Sequence, residues 1–414
     1  MTKITIRRFD RNVVQALTNR GFPEPLARAL AARHVTSPSD LDYEFKEMLS
    51  PWDLKNCREA GEAIADAIWK QKKIVIIGDY DCDGATAVSV GILGLQALGA
   101  FNVSYLIPDR DKDGYGLSPQ LVDRAAAAGA ELIITVDNGI SSVAAVEHAK
   151  TLGIEAVVTD HHLPGDEIPD TLVVNPNQRG DTFPSKSLAG VGVIFYVLIA
   201  VRSALRAKGA YPNGKQPNLQ HLIDLVALGT VADVVPLDRN NRILVSKGLD
   251  SIRAGKMQPG VSALLSVAGK NAHRISANDL GYILGPRINA AGRLDSINKG
   301  VECLTSYDYN TALFYAKELD QSMPSAATAK YPCSPTLFCP YRRFPSMTAI
   351  PSFLRVTTWH AGIIGLVASR IKEQTYRPVI AFAPSEENGE HVLKGSGALF
   401  PAFICAMHWI VSAN

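Results

Sequence analysis

The sequence predicts an α/β fold built on a parallel sheet with helices on both faces. Three observations favour this fold class. From Lys72 onward, short β-branched runs alternate with helix-like stretches, which is the order of βαβ units. Acidic side chains recur where the apolar runs end. The longest apolar run, 188–201, is too short to cross a bilayer and therefore predicts a buried core helix.

The elements are expected in a regular order. Residues 1–70 look helical, with a break at Pro51. The predicted strands are KIVIIGD, NVSYLIP, ELIITVD and EAVVTD, and the predicted helices between them are ATAVSVGILGLQALGA, PQLVDRAAAAG and SSVAAVEHAKTLG. Parallel strands connected in this way bury both faces of their sheet under helices. The expected units are a helical segment 1–70, an α/β domain 71–240, a helical connector 241–322, an aberrant proline-rich segment 323–358 and a partial α/β domain 359–414.

The composition is that of a globular protein. The chain has 414 residues, 47% of them hydrophobic and 20% charged, which is enough for two or more domains. Its net charge of +2 neither predicts nor excludes a nucleic-acid partner, since a basic groove can lie within a neutral total. The six cysteines form no CxxC pair and the N-terminus has no apolar export signal, so a reducing, cytoplasmic location is expected.

Four short stretches carry the candidate chemistry: GDYDCDG (78–84), TVDNGIS (135–141), VTDHHLPG (158–165) and GTVADVVPL (229–237). Ligands of parallel sheets lie beyond the carboxyl ends of the strands, so these stretches should meet at one edge. Carboxylates with imidazoles and no thiolate suit Mn²⁺ or Mg²⁺, and two such ions would clamp a phosphodiester and activate water. The candidate residues are Asp79, Asp81, Asp83, Asp137, Asp160, His161, His162 and Asp233.

Each of these stretches also has a simpler structural explanation. Aspartates at strand ends cap helices or form turns, and a DNG sequence is commonly a turn. A histidine pair after an aspartate is rarer in such places, and Asp233 lies in an apolar stretch where an unpaired carboxylate is costly. The four stretches together favour a metal site over four unrelated turns.

The order of these stretches resembles the motif order of the DHH phosphoesterase superfamily. The residues that carry the resemblance are DYDCDGATA, VDNGIS, DHH and ALGTVADVVPL. Three more stretches, PDRDKDGYGLS (108–118), GPRINAAGRLDS (285–296) and WHAGIIGLVASRIKE (359–373), resemble the RecJ branch, which comprises single-strand-specific 5′→3′ DNA exonucleases. The resemblance covers residues 10–322 and 359–397, so 71–240 would be the DHH domain.

The resemblance implies a role for each residue of the candidate site. Asp79 and His162 would be further ligands or groups that orient the reacting phosphate, and Asp160 would support the histidines as a hydrogen-bond acceptor. Smaller superfamily members carry a histidine where this chain has Ile77, so Asp79 is a candidate for the missing ligand. The implied metal ligands are Asp81, Asp83, Asp137, His161 and Asp233, and the implied catalytic residues are these five and His162.

The resemblance also implies a path for DNA. Arg110 would hold a phosphate and Tyr115 would stack on a base, unless the arginine pairs with a neighbouring aspartate in a surface loop. For the arginines of GPRINAAGRLDS in the connector, contact with a DNA phosphate is favoured over an ion pair within the protein. The last stretches resemble a DHH-associated domain, whose amides and basic side chains would bind the 5′-terminal phosphate. The implied substrate-binding residues are Arg110, Tyr115, Arg287, Asn289, Arg293, His360, Arg370, Lys394 and Ser396.

The last quarter of the chain departs from this family. Residues 321–372 contain no Asp or Glu and 321–358 contain six prolines, so no helix is expected past the prolines and no strand within them. KGSG (394–397) predicts a glycine-rich turn, and an uncharged sequence follows it. We interpret these stretches as read out of frame in a truncated chain, with a lineage-specific linker as the alternative. An intact single frame on resequencing the locus would contradict the frameshift.

The resemblance implies a metal-dependent 5′→3′ exonuclease that acts on single-stranded DNA in repair and recombination, with two ions of Mn²⁺ or Mg²⁺. The implied partners are single-stranded DNA, a single-strand binding protein and a repair helicase, with no membrane and a monomeric chain. Two other functions stay open: a DHH hydrolase of oligoribonucleotides or other small phosphates, and a non-catalytic DNA-binding relative. The length and the arginine-bearing loops disfavour the first, and the complete ligand set disfavours the second.

Overall fold

The computed structural model describes residues 7–33, 35–108, 116–294, 297–327, 352–355, 364–375, 378–387 and 390–398. Near the N-terminus, helices α1 (Arg11–Asn19) and α2 (Glu24–Ala31) pack around a small core of their own that includes Leu17 and Ala27. Three 3₁₀ turns lead from them to α3 (Cys57–Trp69). This segment is helical, as the sequence predicts.

A five-stranded parallel sheet follows. Its strands are β1 (Ile74–Ile77), β2 (Val103–Leu106), β3 (Leu132–Val136), β4 (Glu155–Thr159) and β5 (Leu172–Val174). Its connecting helices are α4 (Cys82–Ala97), α5 (Pro119–Ala127) and α6 (Val143–Thr151). The strands lie in the order β2-β1-β3-β4-β5, and every neighbouring pair is parallel. The predicted fold class is confirmed, with β5 as a strand that the sequence pattern does not indicate.

Alternate residues of the central strand face opposite layers of helices. Ile74 and Ile76 of β1 belong to the core shared with α3, α4 and α7 (Gly190–Ala207), whereas Val75 and Ile77 pack with α5 and α6. All four side chains are fully buried. The strand is therefore a continuous apolar run, as expected for a sheet covered on both faces.

Helix α7 is the long apolar helix of the domain. It has 18 residues, more than the apolar run that predicts it, and by length and composition alone it could cross a membrane. In this fold 67% of it is buried, and it packs against α3 and α4. Burial within the protein accounts for its apolar character, as the sequence predicts.

A helical region carries the chain away from the sheet. Its helices are α8 (Ile223–Ala232), α9 (Arg239–Arg253), α10 (Pro259–Val267), α11 (Ala277–Asp279), α12 (Gly285–Leu294), α13 (Asn298–Thr305) and α14 (Tyr309–Ala327). A π-helical turn, Leu280–Leu284, joins α11 to α12. The expectation that α14 stops at Pro324 is wrong, since the helix ends at Ala327. A proline near a helix end removes one intrahelical hydrogen bond and leaves the preceding turns intact.

The last described elements form a small mixed sheet with one helix. Its strands are β6 (Ser352–Arg355), β7 (Val379–Glu387) and β8 (Glu390–Ala398), in that order, and α15 (Ile364–Thr375) packs on β7 and β8.

Two sequence predictions are wrong in this small sheet. Residues Ser352–Arg355 form a strand parallel to β7, because pairing with a neighbouring strand replaces the missing local pattern. KGSG lies within β8 rather than in a turn. Gly395 pairs with Phe382, and a β-carbon at Gly395 would lie 2.7 Å from the Phe382 Cε1 atom. The glycine therefore makes room for an aromatic ring inside the ladder.

Candidate metal centre

The topology brings the acidic stretches to one edge of the sheet. The chain leaves β1 toward the layer of α4 and leaves β3 toward the layer of α6, which lies on the opposite face. A strand order of 2-1-3-4-5 opens a crevice at the carboxyl ends of β1 and β3, where this change of direction occurs. Asp79 and Asp81 follow β1 and Asp137 follows β3, so they lie at this crevice.

Three buried polar atoms meet at the crevice. Nε2 of His161 lies 3.1 Å from Oδ1 of Asp137 and 3.6 Å from Oδ2 of Asp233. Each of the three atoms is shielded from solvent and has no hydrogen-bond partner among the residues that the structure describes. Neighbouring ligand atoms around an octahedral ion with bonds of about 2.1 Å lie about 3 Å apart. The three atoms therefore fit a divalent cation, which would satisfy all of them.

His161 is held in the form that binds a metal. The backbone carbonyl of Leu188 hydrogen-bonds its ring, and because Nε2 has no partner this bond is made by Nδ1. Burial, and then the charge of His162, lower the pKa of His161 to about 4, so the imidazole is neutral at pH 7. A neutral Nε2 offers a lone pair and no proton, so a cation between it and the ionised carboxylates would satisfy all of these groups.

Asp83 is fixed by the start of α7. Its carboxylate oxygens accept hydrogen bonds from the backbone N–H groups of Gly190 at 2.7 Å and Val191 at 3.1 Å. Burial, and then the charges of Asp233 and Asp81, raise the pKa of Asp83. Asp83, His161 and Asp233 each bring one ligand atom within 4.8 Å of the others. We call these three the first ligand set.

The second ligand set consists of Asp79, Asp81 and Asp137, which also bring one oxygen each within 4.8 Å of one another. Asp81 caps α4 by accepting the Gly84 N–H at 3.0 Å through Oδ1. Burial, and then the charge of Asp81, raise the pKa of Asp79 to about 7. Asp137 belongs to this set and also faces His161, which is the position of a ligand shared by two ions.

Two glycines missed by the sequence analysis allow the aspartates to approach. A β-carbon at Gly190 would lie 2.5 Å from Cβ and Oδ1 of Asp137. A β-carbon at Gly229 would lie 2.7 Å from Oδ1 of Asp83 and closer still to Oγ1 of Thr86. The only signal in the sequence is a glycine within an apolar helix, which by itself does not indicate a site.

Asp160 supports the histidines and does not face the cluster. Its carboxylate accepts hydrogen bonds from the N–H groups of Ile140 (2.9 Å), His161 (2.7 Å) and His162 (3.1 Å), and from Nδ1 of His162 at 2.7 Å. Burial opposes ionisation of Asp160, but its bond with His162 lowers the pKa of the carboxyl, and the same bond raises the pKa of His162. Four donors fill the acceptor capacity of one carboxylate. This is the supporting position that the resemblance implies.

The predicted substrate-binding residues fall into two groups. Within the protein, Nε of Arg287 donates to Oδ1 of Asp320 at 2.9 Å, which is the structural ion pair that the sequence analysis disfavoured. Asn289 accepts the Cys82 N–H at 2.7 Å, and Ser396 pairs with Ala381 in the small sheet. Their contact with DNA stays a prediction. Outside the described residues or side chains lie Arg110, Tyr115, Arg293, His360, Arg370 and Lys394.

The metal-free protein is expected to become less stable as the pH rises from about 4 to about 7. Burial, and then the charge of Asp81, raise the pKa of Asp79 to about 7 and that of Asp233 to about 6, from a value of 3.8. The folded state keeps these protons while the unfolded state loses them, so the free energy of unfolding falls across this window. Thermal unfolding in EDTA at several pH values measures the effect. Because protons compete with metal, Mn²⁺ should stabilise the protein more at pH 7 than at about pH 5.

Asp224 provides a control for this pH dependence. Its pKa is raised by burial to about 7, and its carboxylate accepts the Gln258 N–H at 2.6 Å, apart from both ligand sets. In Asp224→Asn, the free energy of unfolding in EDTA should fall less steeply with pH. The stabilisation of the protein by Mn²⁺ should be the same as in the wild type. Equal stabilisation by Mn²⁺ at both pH values would contradict the competition between protons and metal.

The chain is similar to proteins of a known family. Residues 73–230 match the DHH family, N-terminal domain. The single-stranded-DNA-specific exonuclease RecJ of Salmonella typhimurium is 50% identical over 384 residues, and that of Escherichia coli is 49% identical over 385. Each alignment covers 91% of this chain and 66% of the relative, so the chain spans just under two thirds of the length of these relatives.

Solved structures share the fold. A crystal structure of exonuclease RecJ bound to manganese has a TM-score of 0.70 and 35% identity, over 81% of this chain and 82% of that chain. RecJ of Thermus thermophilus in complex with Mn²⁺ has a TM-score of 0.74 and 32% identity, over 90% of this chain and 52% of that chain. Since the sequence, the parallel sheet and the DHH stretch all agree with these proteins along most of its length, the chain belongs to the RecJ family of DHH proteins.

Proposed function

We propose that this chain is a metal-dependent exonuclease that hydrolyses single-stranded DNA from the 5′ end. The observation that carries the proposal is the meeting of three unpartnered atoms, from Asp137, His161 and Asp233, at the carboxyl edge of the sheet. Relatives at 49–50% identity are named single-stranded-DNA-specific exonucleases, and two solved relatives hold manganese. These likenesses support the same chemistry in this chain.

The proposed cofactor is a pair of Mn²⁺ or Mg²⁺ ions. Carboxylate oxygens with one imidazole and no thiolate are suitable ligands for either metal. Bound there, the ions supply an activated water and stabilise charge on the phosphorus oxygens. The first ion would be held by Asp83, His161 and Asp233 and the second by Asp79 and Asp81, with Asp137 shared.

The side chains of the protein hold and orient the reacting groups. Neutral His161 presents Nε2, and Asp160 fixes the loop that carries it. His162 has a raised pKa because of its hydrogen bond with Asp160, and its side chain is 44% exposed, so it lies on the solvent side of the cluster. We place a phosphate oxygen against this ring, whose raised pKa favours the protonated form.

The remaining elements of the proposal follow from membership of the family. Arg110, Tyr115 and the basic residues of the small mixed sheet would grip the strand and its 5′-phosphate. A role in DNA repair and recombination, with a single-strand binding protein and a repair helicase as partners, fits such an activity. A monomeric, cytoplasmic chain is part of the same proposal.

An assay with 5′-phosphorylated single-stranded DNA, labelled at its 3′ end, tests the proposal. With Mn²⁺ we expect mononucleotides to be released from the 5′ end while the label stays on shortening DNA, and we expect no release in EDTA. Blunt duplex DNA should be degraded much more slowly. Faster hydrolysis of dinucleotides than of DNA would favour the small-phosphate hydrolase, and Mn²⁺ binding without hydrolysis would contradict the enzyme.

A further inference from the structure

Two asparagine side chains hydrogen-bond the backbone of the loop that carries His161 and His162. His161 and His162 follow β4 in a segment without regular backbone pairing. Nδ2 of Asn177 donates to the carbonyl of His161 at 2.6 Å, and Nδ2 of Asn175 donates to the carbonyl of His162 at 3.0 Å. A peptide plane whose carbonyl is bound cannot rotate freely, so these bonds fix the direction in which each ring leaves the backbone.

The two asparagines are themselves braced. Asn175 is fully buried, and its Oδ1 accepts the Asn177 N–H at 2.7 Å in an Asx turn. Asn177 also donates to the carbonyl of Lys186 at 3.2 Å, and Nζ of Lys186 donates to the carbonyl of Pro176 at 2.6 Å. The segment after β5 is therefore held in place by its own hydrogen bonds. We call Asn175 and Asn177 together the histidine clamp.

A third amide holds the aspartate loop. Cys82, between Asp81 and Asp83, is the first residue of α4, and N–H groups at a helix start lack intrahelical partners. Oδ1 of Asn289 accepts the Cys82 N–H at 2.7 Å. Gly292, further along α12, leaves no room for a β-carbon beside the carbonyl of Tyr80, which shows how closely this helix approaches the loop. Asp81 caps α4 through the Gly84 N–H, and Asn289 satisfies the Cys82 N–H that the cap does not reach.

We propose that Asn175, Asn177 and Asn289 are positioning residues that set the geometry of the metal ligands through their backbone. The inference rests on the proposed metal centre and gives Asn289, which the resemblance places on the DNA path, a role within the protein. Groups that orient ligands in this way contribute about 10–100-fold to metal affinity. Their distance in sequence from the ligands explains why no motif contains all of them.

Asn177→Asp tests the histidine clamp. The carboxylate has the shape of the amide but cannot donate to the carbonyl of His161. We expect the Mn²⁺ dissociation constant, measured by isothermal titration calorimetry, to rise about 10–100-fold. We also expect the electron paramagnetic resonance spectrum of the bound Mn²⁺ to change, because the ligand geometry differs, while unfolding stays cooperative.

Asn102→Asp is the matched control. Nδ2 of Asn102 donates to the carbonyl of Gln71 at 3.2 Å, before β2 at the opposite edge of the sheet. The same chemical change there removes the same kind of bond far from the ligands, so Mn²⁺ affinity should stay within about twofold. An equal loss of affinity in Asn102→Asp would indicate a general loss of stability and would overturn the inference.

Asn289 provides a second, independent pair of variants. Asn289→Leu removes the acceptor for Cys82, whereas Asn289→Asp retains an acceptor, so affinity should fall in the first and recover in the second. If the wild type binds Mn²⁺ and both Asn177→Asp and Asn289→Leu bind it equally well, the inference is wrong. If the wild type binds no Mn²⁺, the proposed metal centre is wrong instead.

Discussion

Asp137→Asn is expected to abolish hydrolysis. The fall in kcat should be at least about 10³-fold, which is the largest effect expected from removing a single hydrogen bond to a transition state. Asp137 belongs to the second ligand set, and its Oδ1 also faces Nε2 of His161 at 3.1 Å. Asparagine keeps the shape of the side chain and tolerates the left-handed φ of 62°, so backbone strain does not contribute. The single-stranded DNA assay with Mn²⁺ measures the loss.

The same substitution should stabilise the metal-free protein. Asp137 is 2% exposed, and burial, followed by the charges of Asp83 and Asp81, raises its pKa. A neutral amide avoids this repulsion, so the melting temperature in EDTA should rise, by about 2–4 °C for each kcal/mol gained. The further rise in melting temperature on adding Mn²⁺ should be smaller than in the wild type. Activity in Asp137→Asn, or a Mn²⁺-induced rise equal to that of the wild type, would contradict the shared role.

Gly190→Ala is expected to weaken Mn²⁺ binding about 10–100-fold without replacing a ligand. A β-carbon at this position would lie 2.5 Å from Oδ1 of Asp137. The Gly190 N–H also holds Asp83 at 2.7 Å, so α7 cannot move away without loosening that carboxylate. Overpacking of this kind costs about 1–3 kcal/mol of stability. Calorimetric titration with Mn²⁺ and thermal unfolding of the same protein measure the two effects.

Gly94→Ala separates overpacking from damage to the metal centre. Gly94 lies in α4, where a β-carbon would clash with Cδ1 of Leu198 on α7. This clash also involves α7, but it falls on the end of a side chain that can rotate and that holds no ligand. We expect stability to fall and Mn²⁺ affinity to persist. An unchanged Mn²⁺ affinity in Gly190→Ala would show that metal binding by Asp137 does not depend on its close contact with Gly190.

The sheet and the gathering of the candidate ligands at one edge could be predicted because both follow from local pattern. The apolar runs of β1 and β3 predict adjacent buried strands, and parallel strands place Asp81 and Asp137 at the same edge. The preference for Mn²⁺ or Mg²⁺ over zinc follows from ligand type. Helix α7 could be predicted from its apolar run, although its last two turns carry polar residues and lie beyond that run.

The supporting contacts could not be predicted, because they join residues that are distant in the chain. Leu188 fixes the ring of His161 through its carbonyl, which any residue type would offer. Asn289 was expected to contact phosphate, but it bonds the Cys82 N–H across 207 positions of sequence. The glycines of KGSG suggested a turn, but Gly395 pairs with Phe382 in the sheet, and the absence of a side chain at Gly395 leaves room for the phenyl ring. None of these contacts produces a periodic pattern.

Calorimetric titration of the metal-free chain with Mn²⁺, combined with paramagnetic resonance of the loaded protein, tests the metal centre most directly. The two ligand sets predict about two ions per chain, and because Asp137 of the second set lies 3.1 Å from His161 of the first, their spins would be coupled. In Asp137→Asn the coupling should disappear and the number of tightly bound ions should fall. A folded wild-type chain that binds no Mn²⁺ would contradict the metal centre and the activity derived from it.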